Sequence, residues 1–367
     1  MVDLAQRTAR IDSSGIRKVF ALAANMTDPV NLSIGQPHFD VPESVKEVAI
    51  RAIRDGRNSY TLTAGIPQLR ENLLQRYRKR GVSAEDIIIT SGVSGGIFLT
   101  FLALLNEGDE VILPDPYFVM YKHLANFVGA QPVFVDTYPD FQLDPDKIEA
   151  AVTSRTKIIV VNSPNNPTGA VYPELILRGI SEVAERHGLT ILTDEIYDCF
   201  LYGSEPVSIA QWYPQTILLS GFSKSMALTG WRVGYALGPK SIIGAFMNIQ
   251  MYSFVCAPSF AQWGALAALD EDTSANNASY RRKRDLIYNG IKDRYHVVCP
   301  GGAFYIFPEA PGRDGDRFVE DAIRNNLLIV PGSVFSEQRT HFRISYAAED
   351  EVIIRGVEIL NTLAERY

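Results

Sequence analysis

The sequence lacks several features that define common classes of protein. Its three cysteines, Cys199, Cys256 and Cys299, are an odd number without a CxxC pair, which argues against a disulfide framework or a zinc site. The apolar run Ile97 to Leu105 is far shorter than the roughly 20 residues that a membrane-spanning helix needs, and residues 1 to 30 contain no signal-like apolar core. We therefore expect no membrane segment and a reducing, cytoplasmic location.

An excess of positive charge is also absent. The formal net charge is −7, so we expect neither nucleic acid nor an anionic membrane as a partner. What is present is ordinary for a globular protein: 46% of the residues are hydrophobic and 21% are charged. A chain of 367 residues is long enough for two domains, or for one large and one small domain.

From Asp86 to Leu237 the apolar residues predict an α/β fold. Short runs that are apolar on both faces alternate with helical segments, which is typical of a mostly parallel sheet covered on both sides. The expected strands are Asp86 to Thr90, Glu110 to Leu113, Val133 to Val135, Lys157 to Asn162, Thr190 to Asp194 and Thr216 to Ser220. The expected helices between them are Ser94 to Asn106, Tyr117 to Phe127, Asp144 to Val152 and Pro173 to His187. A seventh strand, Val233 to Leu237, follows so short a connection that we expect it to be antiparallel.

The flanking segments predict the domain organisation. Residues 1–35 form an arm with one helix, about Gly15 to Asn25, which we assign to the smaller domain. Residues 36–270 form the large domain, which begins with a helix at Ser44 to Arg54 and ends with a long helical stretch from Ser241 to about Leu269. Residues 271–367 form a smaller α+β domain. Its expected elements are a helix from Ser279, strands at Val297-Val298, Phe304 to Phe307, Leu327 to Val330 and Phe342 to Tyr346, and helices at Arg317 to Asn325 and from Glu349.

The stretch Ser220 to Gly234, SGFSKSMALTGWRVG, directly follows the sixth predicted strand. A buried lysine such as Lys224 has a depressed pKa, and its neutral amine is a nucleophile toward a carbonyl carbon. The planar guanidinium of Arg232 can hold a phosphate. An aldehyde and a phosphate in one ligand indicate pyridoxal 5′-phosphate (PLP). The alternative is that Lys224 lies on an exposed turn, because lysine is rarely buried.

Other polar and aromatic residues follow the remaining strands, where open α/β sheets bind their ligands. The sequence SGVSGG, Ser91 to Gly96, opens a helix and suits a phosphate, although a tight turn would look the same. Phe118 could stack on an aromatic ring or belong to the core, and Asn166 could bind a ligand or only form a turn. Asp194 could pair with a pyridinium nitrogen or cap a helix, and Tyr197 lies three residues further on.

The motifs described above, together with several others, occur in an order that resembles a known family. They run through the chain as GQPHFDVP, YTLTAGIPQLRE, SGVSGG, PDPYF, NNPTG, TDEIY, SGFSKSMALTGWRVG, PGGAFY and FRISY. With this set the chain resembles the class I/II, fold-type I PLP-dependent aminotransferases over nearly its whole length. The resemblance implies a large domain with a mostly parallel seven-stranded sheet, a smaller α+β domain, PLP as cofactor and a homodimer.

The resemblance also implies roles for individual residues. Lys224 would form the Schiff base with PLP and then shuttle the proton, while Asp194 would pair with the ring nitrogen. Tyr197 and Asn166 would contact the ring hydroxyl, and Phe118 would stack on the ring. The phosphate would be held by Gly92, Val93, Ser94, Ser223, Arg232 and by Tyr60 of a second subunit. The substrate α-carboxylate would be bound by Arg343, with help from Gly35 and Asn166.

The reaction that we expect is transfer of an α-amino group from an amino acid to a 2-oxo acid in a ping-pong sequence. A PLP-dependent β-lyase would use the same lysine, aspartate and arginine, so this alternative stays open. A PLP-fold domain of a transcription regulator would need a DNA-binding segment before the fold, for which about 30 residues leave no room. A dinucleotide-dependent dehydrogenase is disfavoured because no GxGxxG sequence precedes a helix. The side chain of the substrate is left open.

Overall fold

The computed structural model describes residues 3–11, Gly15 and residues 26–367. Apart from Gly15, the expected helix from about Gly15 to Asn25 therefore lies outside the described residues. In the described ranges every helix is too short or too polar to cross a lipid bilayer.

The described part of the chain forms twelve strands. They are β1 (Val30–Asn31), β2 (Asp86–Thr90), β3 (Glu110–Asp115), β4 (Gln131–Asp136), β5 (Thr156–Asn162), β6 (Thr190–Asp194), β7 (Thr216–Gly221), β8 (Gly234–Gly238), β9 (Tyr305–Ile306), β10 (Leu327–Leu328), β11 (Val330–Pro331) and β12 (Phe342–Ser345). Seven of them form the central sheet, in the order β2-β8-β7-β6-β5-β3-β4. Strand β8 is antiparallel to both of its neighbours and the remaining pairs are parallel, which confirms the predicted mostly parallel seven-stranded sheet.

The described residues also form twelve α-helices. They are α1 (Glu43–Arg54), α2 (Pro67–Lys79), α3 (Gly92–Leu104), α4 (Val119–Val128), α5 (Pro145–Ala150), α6 (Glu174–His187), α7 (Phe222–Ser225), α8 (Lys240–Met251), α9 (Ser259–Ala268), α10 (Ser274–Ile291), α11 (Gly315–Arg324) and α12 (Asp350–Ala364). Helices α3, α4 and α8 share one hydrophobic core on one face of the central sheet, while α2, α6 and α9 contribute to the cores on the other face.

The apolar runs of the strands explain why both faces of the sheet are covered. Successive side chains of a strand point to opposite faces, so a run of isoleucines supplies two cores at once. In β2, Ile88 packs into the core formed by α3 and α8, whereas Ile87 and Ile89 pack into the core formed by α2 and α9. Because β3, β5, β6 and β7 pair in parallel, their carboxyl ends lie at one edge of the sheet.

A separate hydrophobic core joins the two ends of the chain. Val30 and Leu32 pack with residues of α10, α12 and β12, and β1 pairs in parallel with β10. Strands β11, β12 and β9 form a small antiparallel sheet in the same region. We propose on this basis the division into residues 1–35 with 271–367 as the small domain and residues 36–270 as the large domain.

Four details of the expected secondary structure were wrong. The expected strand Leu327 to Val330 is two strands, because β10 pairs with β1 and β11 pairs with β12. The stretch from Ser241 to Leu269 is not one helix, because Val255 has a positive φ of 63° and Pro258 caps the next helix, so α8 and α9 are separate. Val297-Val298 forms no strand, since these residues pack as irregular chain beside the cores. The helix expected from Ser279 begins at Ser274, where the side chain of Asp272 accepts hydrogen bonds from the amide and hydroxyl of Ser274.

Gly234 provides a test of how closely the sheet approaches α3. A Cβ at Gly234 would lie 2.5 Å from the carbonyl carbon of Gly92 and 2.7 Å from the amide nitrogen of Val93. Because backbone atoms cannot rotate away, Gly234→Ala must push β8 and α3 apart. We expect it to lower the free energy of unfolding in urea by about 1–3 kcal/mol.

Gly244, in the middle of α8, is the matched control. A Cβ at Gly244 would meet no atom within 4 Å, and alanine favours a helix over glycine. We expect Gly244→Ala to raise the free energy of unfolding by about 0.5 to 1 kcal/mol. Equal effects of the two substitutions would contradict the close approach.

Candidate active site

A cavity of about 250 Å³ lies at the carboxyl ends of the parallel strands. Its lining includes every predicted site residue except Gly92 and Tyr60: Gly35, Val93, Ser94, Phe118, Asn166, Asp194, Tyr197, Ser223, Lys224, Arg232 and Arg343. The residues come from both ends of the chain and meet because parallel strands end at the same edge of the sheet.

Lys224 lies in this cavity instead of on an exposed turn. Strand β7 ends at Gly221, and the single turn of α7 directs the lysine into the cavity, where Nζ donates a hydrogen bond to the carbonyl oxygen of Gly35 at 2.6 Å. Burial lowers the pKa of Lys224 to about 8, and the charges of Arg343 and Arg232 act in the same direction. The amine is therefore close to losing its proton at neutral pH, as a nucleophile requires.

Asp194 ends β6 and is buried beside the lysine. One carboxylate oxygen accepts a hydrogen bond of 2.7 Å from the hydroxyl of Tyr121, and the other accepts one of 3.2 Å from the amide of Ile196. Burial raises the pKa of Asp194 to about 6, although these hydrogen bonds oppose the shift. Tyr121 was not predicted from the sequence. Its position in the first turn of α4, three residues after Phe118, is the signal that could have shown it.

The start of α3 and Arg232 form a subsite suited to an anion. Gly92 has a φ of +68°, and a Cβ there would lie 2.5 Å from Nη2 of Arg232, so only glycine lets the guanidinium approach the helix. Arg232 donates hydrogen bonds to the carbonyl oxygens of Thr229 at 2.9 Å and Ser91 at 3.3 Å. No side chain caps the N-terminus of α3, which leaves its amide groups available to a phosphate.

Arg343, on β12, is almost completely buried at 1% exposure. It donates hydrogen bonds to Asn166 Oδ1 at 3.0 Å and to the carbonyl oxygen of Ser33 at 2.9 Å. Its guanidinium lies 4.5 Å from the ring centres of both Tyr305 and Phe335, while Nε has no hydrogen-bond partner among the described residues. Burial lowers the pKa of Arg343 from its ordinary value. A buried cation with a free donor is suited to a carboxylate.

The remaining cavity residues surround the space between these charges. Asn166 is held by its amide, which donates to Asn162 Oδ1 at 2.9 Å. The hydroxyl of Tyr197 lies 2.8 Å from that of Tyr305. The ring of Phe118 meets the ring of Tyr121 edge-on, with centroids 5.6 Å apart. Tyr305 was present in the sequence only as part of the PGGAFY motif, and no role was predicted for it.

Tyr60 does not reach the cavity of its own chain. Its side chain is 83% exposed. It lies in an exposed apolar surface, which we define as Tyr60, Leu62, Met251 and Tyr252. Nε2 of Gln250 joins the two segments of this surface by donating to the carbonyl oxygen of Thr63 at 2.7 Å.

The described residues have the chemistry that PLP would need at its aldehyde, ring nitrogen and phosphate. The amine of Lys224, with its lowered pKa, would suit the aldehyde, and the buried carboxylate of Asp194 would suit the ring nitrogen. Arg232 and the start of α3 would suit the phosphate. The unpaired Nε of buried Arg343 and the raised pKa of Asp194 are both features that a charged ligand would relieve.

The family is shown by comparison with known proteins. The sequence model described as "Aminotransferase class I and II" matches residues 27–360. The chain belongs to this family. The match, the relatives and the superposed structure confirm the predicted family, the fold-type I architecture and the aminotransferase activity, and the family depends on PLP.

The relatives cover almost the whole chain. The "Probable aspartate aminotransferase" of Methanocaldococcus jannaschii is 38% identical over 99% of this chain and 100% of the relative. The "Aspartate/prephenate aminotransferase" of Thermus thermophilus is 39% identical over 93% and 92% of the two chains. The solved structure of Thermus thermophilus aspartate aminotransferase with maleate superposes with a TM-score of 0.95, at 37% identity, over 99% of this chain and 100% of that chain.

Replacing Asp194 by Asn in the cofactor-free protein should stabilise the fold at neutral pH. Since the folded pKa of about 6 lies above the ordinary 3.8, the folded state binds the proton more tightly, and wild-type stability falls as pH rises through this window. The gain from Asp194→Asn should be absent below about pH 4 and reach about 3 kcal/mol above about pH 6. Urea denaturation across this pH range measures it.

The exposed Asp136 is the control, because Asp136→Asn should change the stability little at any pH. A gain in Asp194→Asn that does not depend on pH would show that the substitution acts through packing and not through the buried charge.

Proposed function

We propose that the cavity binds PLP and that its residues carry out the transfer of the α-amino group between an amino acid and a 2-oxo acid. The observation that carries the proposal is the shared cavity of Lys224 and two complementary groups. A buried carboxylate, Asp194, and a buried arginine with an unpaired donor, Arg343, line the same cavity and act on the charge of Lys224. When bound, PLP supplies an aldehyde conjugated to an electron-accepting ring.

Lys224 is proposed to hold the cofactor and then to act as the base for the substrate. Because burial and two neighbouring arginines lower its pKa to about 8, the free amine can accept a proton from the α-carbon near neutral pH. Nζ donates a hydrogen bond of 2.6 Å to the carbonyl oxygen of Gly35. This contact can hold the free amine when it is not attached to the cofactor. In the same proposal Asp194 keeps a proton on the ring nitrogen, and the hydroxyl of Tyr121 holds its carboxylate in place.

Arg343 is proposed to bind the α-carboxylate of the substrate. Its Nη groups are held by Asn166 and the Ser33 carbonyl, so the guanidinium cannot rotate freely. The aromatic rings of Tyr305 and Phe335 enclose it and exclude water, which strengthens a charge-assisted hydrogen bond. Gly35 is proposed to lie beside the same carboxylate.

The remaining predicted residues are proposed to hold the phosphate and the ring. Arg232, Ser94 and the amides of Gly92 and Val93 surround the anion subsite at the start of α3, and Ser223 lies on the cavity wall directly before the lysine. Phe118 is proposed to stack on the ring, while Tyr197 and Asn166 are proposed to contact its hydroxyl.

The identity of the amino donor is to be measured. Relatives named for aspartate and for aromatic amino acids make these the first donors in a panel, and the relative named for prephenate adds this 2-oxo acid to the acceptors. Lys224, Arg232 and Arg343 are the cationic side chains among the described residues that line the cavity, and each has another proposed role. We therefore expect recognition of a second carboxylate, if it occurs, to depend on a group outside this set.

Lys224→Ala tests the proposed function. Without the amine, no residue in the described cavity wall can attach the aldehyde and accept the α-proton, so we expect amino exchange to fall by at least about 1,000-fold. The assay follows 2-oxo acid formation from the donor panel with 2-oxoglutarate, pyruvate and prephenate as acceptors. The second readout is covalent attachment of the cofactor. In Lys224→Ala we expect the cofactor to be released on denaturation, even after treatment with a reducing agent that would fix a lysine–cofactor bond.

Lys240→Ala, on an exposed residue at the start of α8, is the matched control and should keep full activity. Full turnover and cofactor attachment in Lys224→Ala would contradict the proposal. Formation of pyruvate and ammonia from cystathionine, without dependence on a 2-oxo acid, would instead support the β-lyase alternative.

We propose that two copies of the chain form a homodimer in which Tyr60 reaches the phosphate site of the partner subunit. The exposed apolar surface of Tyr60, Leu62, Met251 and Tyr252 supports this proposal, because its two segments are neighbours and exposed apolar patches mark interaction sites. In a two-fold dimer each copy would contribute the same surface to the other.

Hybrid dimers test the contribution of Tyr60. A dimer of one Tyr60→Ala chain and one Lys224→Ala chain has one site with Lys224 intact and Tyr60 supplied by the Lys224→Ala chain. Random assembly makes about half of the dimers hybrid, so we expect about a quarter of the wild-type activity to return. Both variants are first unfolded and then refolded together so that their subunits exchange.

Mixing Lys224→Ala with Asp194→Ala is the matched control. Both residues line the cavity of a single chain, so neither site of this hybrid is intact and no activity should return. A Tyr60 mixture that regains no activity, or a monomer in sedimentation with full cofactor occupancy, would contradict the proposed dimer site.

We also propose a cytoplasmic location. The three cysteines, Cys199, Cys256 and Cys299, are free thiols in the structure. Burial raises the pKa of Cys199 well above its ordinary value, which keeps this thiol protonated and unreactive. Free thiols of this kind support a reducing compartment.

A further inference from the structure

Tyr305 contacts both Tyr197, to which we assign the cofactor ring, and Arg343, to which we assign the substrate carboxylate. It is 1% exposed, and it belongs to β9 of the small domain, whereas Tyr197 follows β6 in the large domain. The two hydroxyl oxygens lie 2.8 Å apart, and the rings meet edge-on with centroids 5.6 Å apart. This hydrogen bond joins the two proposed domains inside the cavity itself.

The ring of Tyr305 makes a second contact that is independent of its hydroxyl. Its face lies 4.5 Å from the guanidinium carbon of Arg343, and the ring of Phe335 lies at the same distance from that carbon. A cation over an aromatic face is attracted by the negative potential of the ring, and a stacked guanidinium is held in one plane. The hydroxyl needs the glycine at position 35, since a Cβ there would collide with it.

The two hydroxyls form a pair in which either can be the donor. Burial raises the pKa of both tyrosines and the charge of Arg343 opposes the shift for both, while Tyr305 and the neighbouring Asp194 add to it for Tyr197. When Tyr305 donates to the oxygen of Tyr197, the proton of Tyr197 is free to be donated to another group.

We propose that Tyr305 is a positioning residue that couples the two halves of the site. Its hydroxyl orients that of Tyr197 toward the cofactor ring, and its aromatic face holds Arg343 in the plane that the substrate carboxylate requires. The inference rests on the proposed function, because it uses the roles given there to Tyr197 and Arg343. It adds a residue to which the motif pattern assigned no task.

Two substitutions separate the two contacts. Tyr305→Phe removes only the hydroxyl and keeps the ring over Arg343, while Tyr305→Leu removes both. The first readout is the pH midpoint at which the absorbance of the bound cofactor changes in the absence of substrate. The second is the pair kcat and KM for the amino donor that the wild type uses best.

We expect Tyr305→Phe to move the absorbance midpoint by on the order of 0.3 pH unit in the same direction as Tyr197→Phe, because a lost donor weakens the next hydrogen bond in the chain. Its KM should stay within about twofold of the wild type. Tyr305→Leu should show the same midpoint shift and a KM raised by roughly fivefold or more, because Arg343 loses its stacking partner.

A double variant tests whether Tyr305 acts through Tyr197. If it does, Tyr197→Phe/Tyr305→Phe should have the absorbance midpoint of Tyr197→Phe alone, since Tyr197→Phe already removes the hydroxyl through which Tyr305 acts. Tyr346→Phe is the matched control for losing a buried hydroxyl in the same domain. Tyr346 is fully buried and donates to the carbonyl oxygen of Ala303 at 3.2 Å without lining the cavity, so neither readout should change.

Three results would overturn the inference: an unshifted midpoint in Tyr305→Phe, an additive shift in the double variant, or an unchanged KM in Tyr305→Leu. These failures differ from failure of the proposed function, in which the wild type itself would show no bound-cofactor absorbance and no amino exchange. Urea denaturation of each variant shows whether it is folded. If Tyr305→Leu does not fold, the nearly isosteric Tyr305→Phe still tests the role of the hydroxyl.

Discussion

Buried charge without a full counter-charge is the constraint on which the rest of this structure depends. One small cavity contains Lys224, Asp194 and Arg343. Burial lowers the pKa of Lys224 and Arg343 and raises that of Asp194, so it favours the neutral form of each group. In a low-dielectric interior such groups destabilise the fold unless a ligand pairs with them. The free energy that the protein loses in holding them is the free energy that a cofactor and a substrate carboxylate can recover, so instability and function arise from the same residues.

The sheet makes this arrangement accessible because it places unrelated segments at one edge. The carboxyl ends of β6 and β7 carry Asp194 and the lysine turn, and β8 returns antiparallel so that Arg232 precedes it closely. Glycines remove the side chains that would otherwise separate these segments: Gly234 lets β8 touch the start of α3, and Gly92 lets Arg232 reach that helix. The anion subsite is thus a result of backbone packing as much as of charge.

The proposed small domain contributes the residues to which we assign substrate binding. Arg343 and Tyr305 lie on β12 and β9, and they reach Asn166 and Tyr197 of the proposed large domain through hydrogen bonds of 3.0 and 2.8 Å. These contacts were invisible in the sequence, since more than 100 residues separate the partners. The hydrogen bond from Tyr121 to Asp194 was equally invisible, although fewer residues separate these two partners in the sequence. Hydrophobic periodicity shows which face of an element is buried, but it does not show which polar atoms meet across two elements.

The sequence by itself determined the family, the seven-stranded sheet and the set of residues at the ends of its strands. Strands β2 and β6 were predicted with their observed bounds, because runs apolar on both faces and bounded by polar residues have few alternatives. Only the tertiary structure decided the positive φ at Val255, which hydroxyl holds Asp194 and what encloses Arg343. The last two depend on contacts between distant segments, which local sequence does not encode, whereas Pro258 was a local signal for the break between α8 and α9.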